Sequence, residues 1–277
     1  MRYEKGDGYI TEPYTDKKGL YFGVELEVAA LRNDEVADIV AGACDFDSDE
    51  DGSIRHCDWP LELQSHPATW LWWTQNRNRI NKLVRSLRRA GCHSDSLFYN
   101  CGMHVHFSRV LSDEHIINVM QMIYLHPQQC ALFSCRTTKE LNIWARVTLD
   151  RQYNYWSGCS CEDCVAAKKA RENKLVGTSV RTQVKEFVHS NYKYEKMFAI
   201  HYSQYYPTVE IRLFSGTLNC RQFWANLEFC RALIEYTGLP GFNPDTMCNW
   251  DMFHYWIHKQ PKMASLKWAM NRIVVKQ

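Results

Sequence analysis

Four short stretches of this chain alternate strictly between apolar and polar residues, and in each the polar half is a set of ionisable groups. They are LYFGVELEV (20–28), PLELQS (60–65), CGMHVHF (101–107) and TVEIRLF (208–214). Successive side chains of a strand point to opposite faces. In the first stretch Phe22, Val24, Leu26 and Val28 therefore share one face, and Glu25 and Glu27 share the other. By the same rule Leu61 and Leu63 oppose Glu62 and Gln64, and Met103, Val105 and Phe107 oppose His104 and His106. In the last stretch Val209, Ile211 and Leu213 oppose Glu210 and Arg212. Two carboxylates about 6.6 Å apart on one strand face repel each other unless a cation intervenes.

A half-buried antiparallel sheet always shows polar residues to water, and that suffices for any one of these strands. Together, however, they offer four glutamates, two histidines and an arginine, where a solvent face normally mixes Thr, Lys, Ser and Gln. Carboxylates with imidazole suit Mg²⁺ or Mn²⁺ carried with a nucleotide better than a structural zinc. An arginine beside a metal-binding glutamate makes sense where both neutralise the same phosphate oxygens. If the strands are neighbours, their polar face is a cation-binding bowl.

Helical periodicity fills the intervals. RNRINKLVRSLRRAG spaces Ile80, Leu83, Val84 and Leu87 on one stripe and stops at Gly91. SDEHIINVMQMIYLHP starts from a Ser112 cap and ends before Pro127. LNCRQFWANLEFCRALIEYTGLP carries Phe223, Leu227, Cys230 and Ile234 on one side, and two short helices flank Pro261. The irregular order of strands and helices indicates an α+β fold. No linker divides the 277 residues, so the expectation is one domain, 1–277, with an insertion at about 145–205.

The motifs FGVELE, DGS, LELQSHP, CGMHVHF and TVEIRLFSGTL, in this order, resemble those of the amidoligases, relatives of glutamine synthetase and the glutamate-cysteine ligases. The resemblance spans about residues 20 to 220. It implies a glutamine synthetase-like fold: a curved, mostly antiparallel sheet forming a half-barrel, with helices packed on its outer face. It also implies ATP-dependent amide formation, in which a substrate carboxylate is phosphorylated and an amine or ammonia displaces phosphate from the acyl phosphate. Carried over by motif, Glu27 and Glu62 would hold one Mg²⁺ or Mn²⁺, and Glu25, His104 and Glu210 another. His106 would line the ATP pocket, Arg212 would contact the phosphates, and Arg136 is a candidate for a second phosphate-binding arginine. Asp51 of DGS reads as a turn residue.

Two further clusters stand apart. Cys159, Cys161 and Cys164 form a C-x-C-x-x-C run suited to a structural Zn²⁺, with Cys135 or Cys130 nearest in sequence for a fourth ligand. Most of the other cysteines sit in apolar periodic segments, as reduced thiols of a cytoplasmic protein do. Arg77, Arg79, Lys82, Arg85, Arg88 and Arg89 surround an apolar helical stripe and read first as a solvated face. The net charge of +2 leaves nucleic acid possible as a partner but not favoured, and charges interrupt every apolar stretch short of a membrane span. The rival to a ligase is a non-catalytic binding or scaffold protein of the same fold, holding a macromolecule through the basic helix and the thiol loop. A metal-dependent hydrolase is a third option, against which Arg212 speaks.

Overall fold

The alternating stretches become strands of a single sheet because each has one face that must leave water. The computed structural model describes residues 19–43, 45–137, 178–189, 199–202 and 208–274, together with Leu141 and Ala145. The strands are β1 (Tyr21–Ala30), β2 (Phe46–Glu50), β3 (Trp59–Ser65), β4 (Ala68–Thr69), β5 (Gly102–Ser108), β6 (Ile200–Tyr202) and β7 (Thr208–Ser215). They form one open sheet in the order β2-β3-β1-β5-β7-β6, with β4 pairing to β1. Every pairing is antiparallel. The helices are α1 (Asp34–Ala41), α2 (Trp70–Gln75), α3 (Arg77–Arg89), α4 (Asp113–Leu125), α5 (Pro127–Ser134), α6 (Val180–His189), α7 (Cys220–Thr237), α8 (Pro244–Met247), α9 (Trp250–Lys259) and α10 (Ala264–Val274). The fold is thus a mixture of helices and antiparallel sheet, as the α+β expectation required.

Local signals account for most helix ends. Ser112 caps α4 by accepting from the His115 amide at 3.2 Å, and Asn219 caps α7 by accepting from Arg221 and Gln222. Beyond α3, Gly91 takes a φ of +79°, a conformation that glycine adopts without steric cost. Pro127 ends α4 as expected and also opens α5, since the first position of a helix needs no amide donor. Asp51 accepts from the Ser53 amide at 2.8 Å, so DGS does close a turn. The Cys159, Cys161 and Cys164 cluster, and most of the 145–205 segment, lie outside the described residues.

Val24, Leu26, Met103, Val105, Phe107 and Ile211 are all buried, as the alternation demands. Trp73 of α2 donates its indole N–H to the Phe22 carbonyl at 3.2 Å. On α3, Arg77 lies over Trp224 and pairs with the buried Glu228 of α7 at 3.2 Å, while Arg79 meets Asp45 at 2.9 Å. Arg77 therefore ties α3 to α7, and Arg79 pairs at the surface. Burial pushes the Cys92 thiol up to about 11 and the Cys248 thiol up to about 12. No described helix is long and apolar enough to cross a membrane.

The alternation breaks at one point. Val105 pairs with Ile211, but Met103 pairs with Phe214, so β7 carries one extra residue opposite His104. This bulge reverses the parity of β7. Phe214, rather than Leu213, takes the place across from Met103 and joins Phe133 and Phe229 in an aromatic cluster. Phe214→Ala should therefore cost about 3–5 kcal/mol, as deletion of a buried aromatic ring does, measured by urea denaturation.

Candidate functional site

Register decides which loaded side chains meet. Glu27 pairs with Glu62, and Glu25 pairs with Gln64 on one side and His104 on the other. One step along, His106 pairs with Glu210, which pairs in turn with His201 of β6. Five adjacent strands thus present acidic and imidazole groups to a common face.

The side chains are in contact. His104 Nδ1 lies 3.2 Å from Glu25 Oε2 and 3.4 Å from Glu210 Oε1, and its Nε2 lies 3.6 Å from Glu27 Oε1. His201 Nδ1 is 3.0 Å from Glu210 Oε2, and Arg212 pairs with the other oxygen of the same carboxylate. His106 Nε2 is 3.0 Å from Glu25 Oε1, yet off the line of a ring hydrogen bond. Glu27, His104, His106 and Glu210 are all buried.

Burial pushes the Glu25 carboxyl up, but the charge of His106, with the hydrogen bond and charge of His104, outweighs it and holds Glu25 well below the usual carboxylate range. Glu210 is held low in the same way, against its own desolvation, by Arg212 and the neighbouring imidazoles. Among the described residues Glu62 has no such cation beside it. Desolvation, with Glu25 and Glu27 nearby, pushes it up to about 7. Glu25 and Glu210, which touch histidine and arginine, are thus the two held ionised.

Arg136 reaches this face from the end of α5. Its Nη2 donates to the Phe214 carbonyl at 2.9 Å. A Cβ on Gly102 would lie 2.8 Å from that nitrogen and 2.9 Å from His104 Nε2. Glycine is required there because guanidinium and imidazole occupy the space a side chain would fill. The Gly102 amide also donates to Glu27 Oε2 at 2.6 Å, fixing that carboxylate.

Every candidate from the alternating strands therefore comes together, and Arg136 joins them. Sequence reasoning missed two participants. His201 lies on a three-residue strand too short for periodicity to reveal, and Gly102 is a lone glycine whose role depends on what approaches it.

The residues fit a divalent cation. Ligand atoms of Glu25, His106 and Glu210 all lie within 4.8 Å of one another, a hard-oxygen and imidazole set. Both ring nitrogens of His106 and Nε of Arg212 are buried and lack hydrogen-bond partners among the described residues. Buried polar atoms normally find partners, so these donors and acceptors are arranged for something bound.

A family model described as "Putative amidoligase enzyme" matches residues 47–234. That span takes in Glu62, His104, His106, Arg136, Glu210 and Arg212, while Glu25 and Glu27 precede it on β1. The chain is also similar to a chain in the crystal structure of the complex between prokaryotic ubiquitin-like protein Pup and its ligase PafA, at 10% identity and a TM-score of 0.38. That match covers 92% of this chain and 63% of the other, so this chain spans less than two thirds of its length. No curated protein matches the sequence.

Titration with Mn²⁺ followed by electron paramagnetic resonance should show saturable binding that Glu210→Gln abolishes. His201→Ala, which frees the carboxylate that His201 holds, should weaken it by about 10–100-fold.

Proposed function

The chain belongs to the amidoligase family, and we propose that it joins a carboxylate to an amine or ammonia at the expense of ATP, with the loaded sheet face as its nucleotide site. One observation carries this reading: four glutamates, three histidines and two arginines from separate segments converge there. A scaffold has no physical reason to hold such mutually repelling carboxylates together, whereas a nucleotide with its cations balances them.

In this reading Glu25, His106 and Glu210 hold one Mg²⁺ or Mn²⁺, and Glu27 and Glu62 a second. The resemblance placed His104 in the first group. We assign it instead to bridging Glu25 and Glu27, because its two ring nitrogens face those carboxylates at 3.2 and 3.6 Å. The cations, when bound, shield the charge of the phosphates. Arg212, already oriented by Glu210 and with its Nε unpartnered, donates to phosphate oxygens. Arg136 does the same from the α5 side.

The substrate carboxylate attacks the γ-phosphorus of ATP, giving an acyl phosphate and ADP. The amine then attacks the acyl carbon, loses a proton and expels inorganic phosphate. We assign the sheet to a glutamine synthetase-like half-barrel, supported by its antiparallel pairing with one loaded face and one face packed in the core. The 145–205 segment is assigned as an insertion in a single catalytic domain. A cytoplasmic setting accords with the buried free thiols Cys92, Cys101, Cys130, Cys230 and Cys248.

Calorimetry in saturating Mg²⁺ should show ATP binding, and failure to bind nucleotide would end the proposal. Once an acid and amine are identified, Arg212→Ala should lower kcat for ADP release by about 10²–10³-fold, the usual effect of removing a donor aimed at developing charge.

A further inference from the structure

Away from the loaded sheet face, two further histidines are held against each other. His254 and His258 lie four residues apart on α9, with ring centroids 4.5 Å apart and ring planes tilted by 53°. Residues at that spacing are neighbours on one side of a helix, so the backbone itself brings the two imidazoles together. The pair stands on the helical side of the molecule, where α9 packs against α7 and α10.

Each Nε2 is buried, and neither has a hydrogen-bond partner among the described residues. Buried ring nitrogens normally find one, as His115 does with the Ile234 carbonyl and His126 with the Cys248 carbonyl. Among the described residues the other histidine with buried, unpartnered ring nitrogens is His106, which lines the cation site.

The surroundings favour an ion that takes neutral imidazole. Burial, and then the charge of His258, push the His254 pKa down, which keeps its lone pair available at neutral pH. Asp251, three residues before His254 on the same side of α9, adds a negative charge that acts on that ring. Lys259 is engaged over the Tyr255 ring at 5.0 Å. A bound anion would need both rings protonated, which their mutual repulsion opposes.

Two histidines at this spacing on one helix face can hold the same metal ion. Imidazole suits Zn²⁺, Ni²⁺ and Cu²⁺, whereas Mg²⁺ and Ca²⁺ call for oxygen ligands. We propose that His254 and His258 chelate a divalent transition ion, at a second metal site separate from the cation site of the sheet. This inference rests on α9 alone and does not need the ligase reading.

The test is calorimetric titration of the full chain with Ni²⁺ in excess Mg²⁺. His254→Ala and His258→Ala should each weaken one Ni²⁺ site by about 10²-fold, the loss expected when a chelate becomes a single ligand, and leave all other Ni²⁺ binding as it was. Zn²⁺ should compete at that site and Ca²⁺ should not. Ni²⁺ should also raise the melting temperature of the unaltered chain more than that of either variant. Mn²⁺ binding at the sheet face reads whether each variant is folded, and His258→Gln, which keeps bulk but loses the ring, repeats the measurement if an alanine variant is not. Unchanged Ni²⁺ binding in both histidine variants, or loss of the same site in Glu210→Gln, would overturn the inference. Failure to bind ATP would sink the ligase reading and leave this site standing.

Discussion

Like charges crowded onto one sheet face are the constraint around which this molecule is organised. Glu25, Glu27, Glu62 and Glu210 are brought together against their mutual repulsion by the opposite face of the same strands. Val24, Leu26, Leu63, Val105 and Ile211 are almost fully buried, and each contributes about 1.5–3 kcal/mol by leaving water. A slip of one residue in any of the pairings would send those side chains to the polar face and the carboxylates into the core. Hydrophobic burial thus fixes the register, and the register imposes the charge.

The repulsion is then distributed unevenly. Glu25 and Glu210 gain histidine and arginine partners and stay ionised, whereas Glu62, hydrogen-bonded to Gln64 at 3.0 Å, has no cation beside it among the described residues and is pushed up to about 7. The protein itself balances part of the charge and leaves the rest, with the unpartnered nitrogens of His106 and Arg212, for a bound cation and its phosphates. Departures from simple sheet rules gather at the same place. The bulge in β7 lies opposite His104, and the glycine that opens β5 clears space for Arg136. Irregularities of this kind cluster where a fold serves binding rather than stability alone.

The helical layer extends the site. Arg136 leaves α5 at a left-handed Cys135 and reaches the sheet face at Gly102 and the Phe214 carbonyl. Arg77, from the helix that reads as merely basic, instead ties α3 to α7 through the buried Glu228. Glu228 also accepts from the Leu266 amide at 2.8 Å at the start of α10. Helices α3, α7 and α10 are thus joined through the one buried carboxylate of Glu228.

By itself the sequence determined what is periodic and local. Alternation assigned Glu25, Glu27, Glu62, His104, His106, Glu210 and Arg212 to polar strand faces, and the Ser112 cap marked a helix start, because both follow from neighbours a few residues apart. It could not say which strands adjoin, since pairing Glu25 with His104 joins positions far apart in the chain through backbone hydrogen bonds that carry no residue code. For the same reason the bulge that moves Phe214 into the core, the arrival of His201 from a three-residue strand, and the need for glycine at 102 were decided only by the tertiary structure. Each depends on what packs against a residue and not on what precedes or follows it.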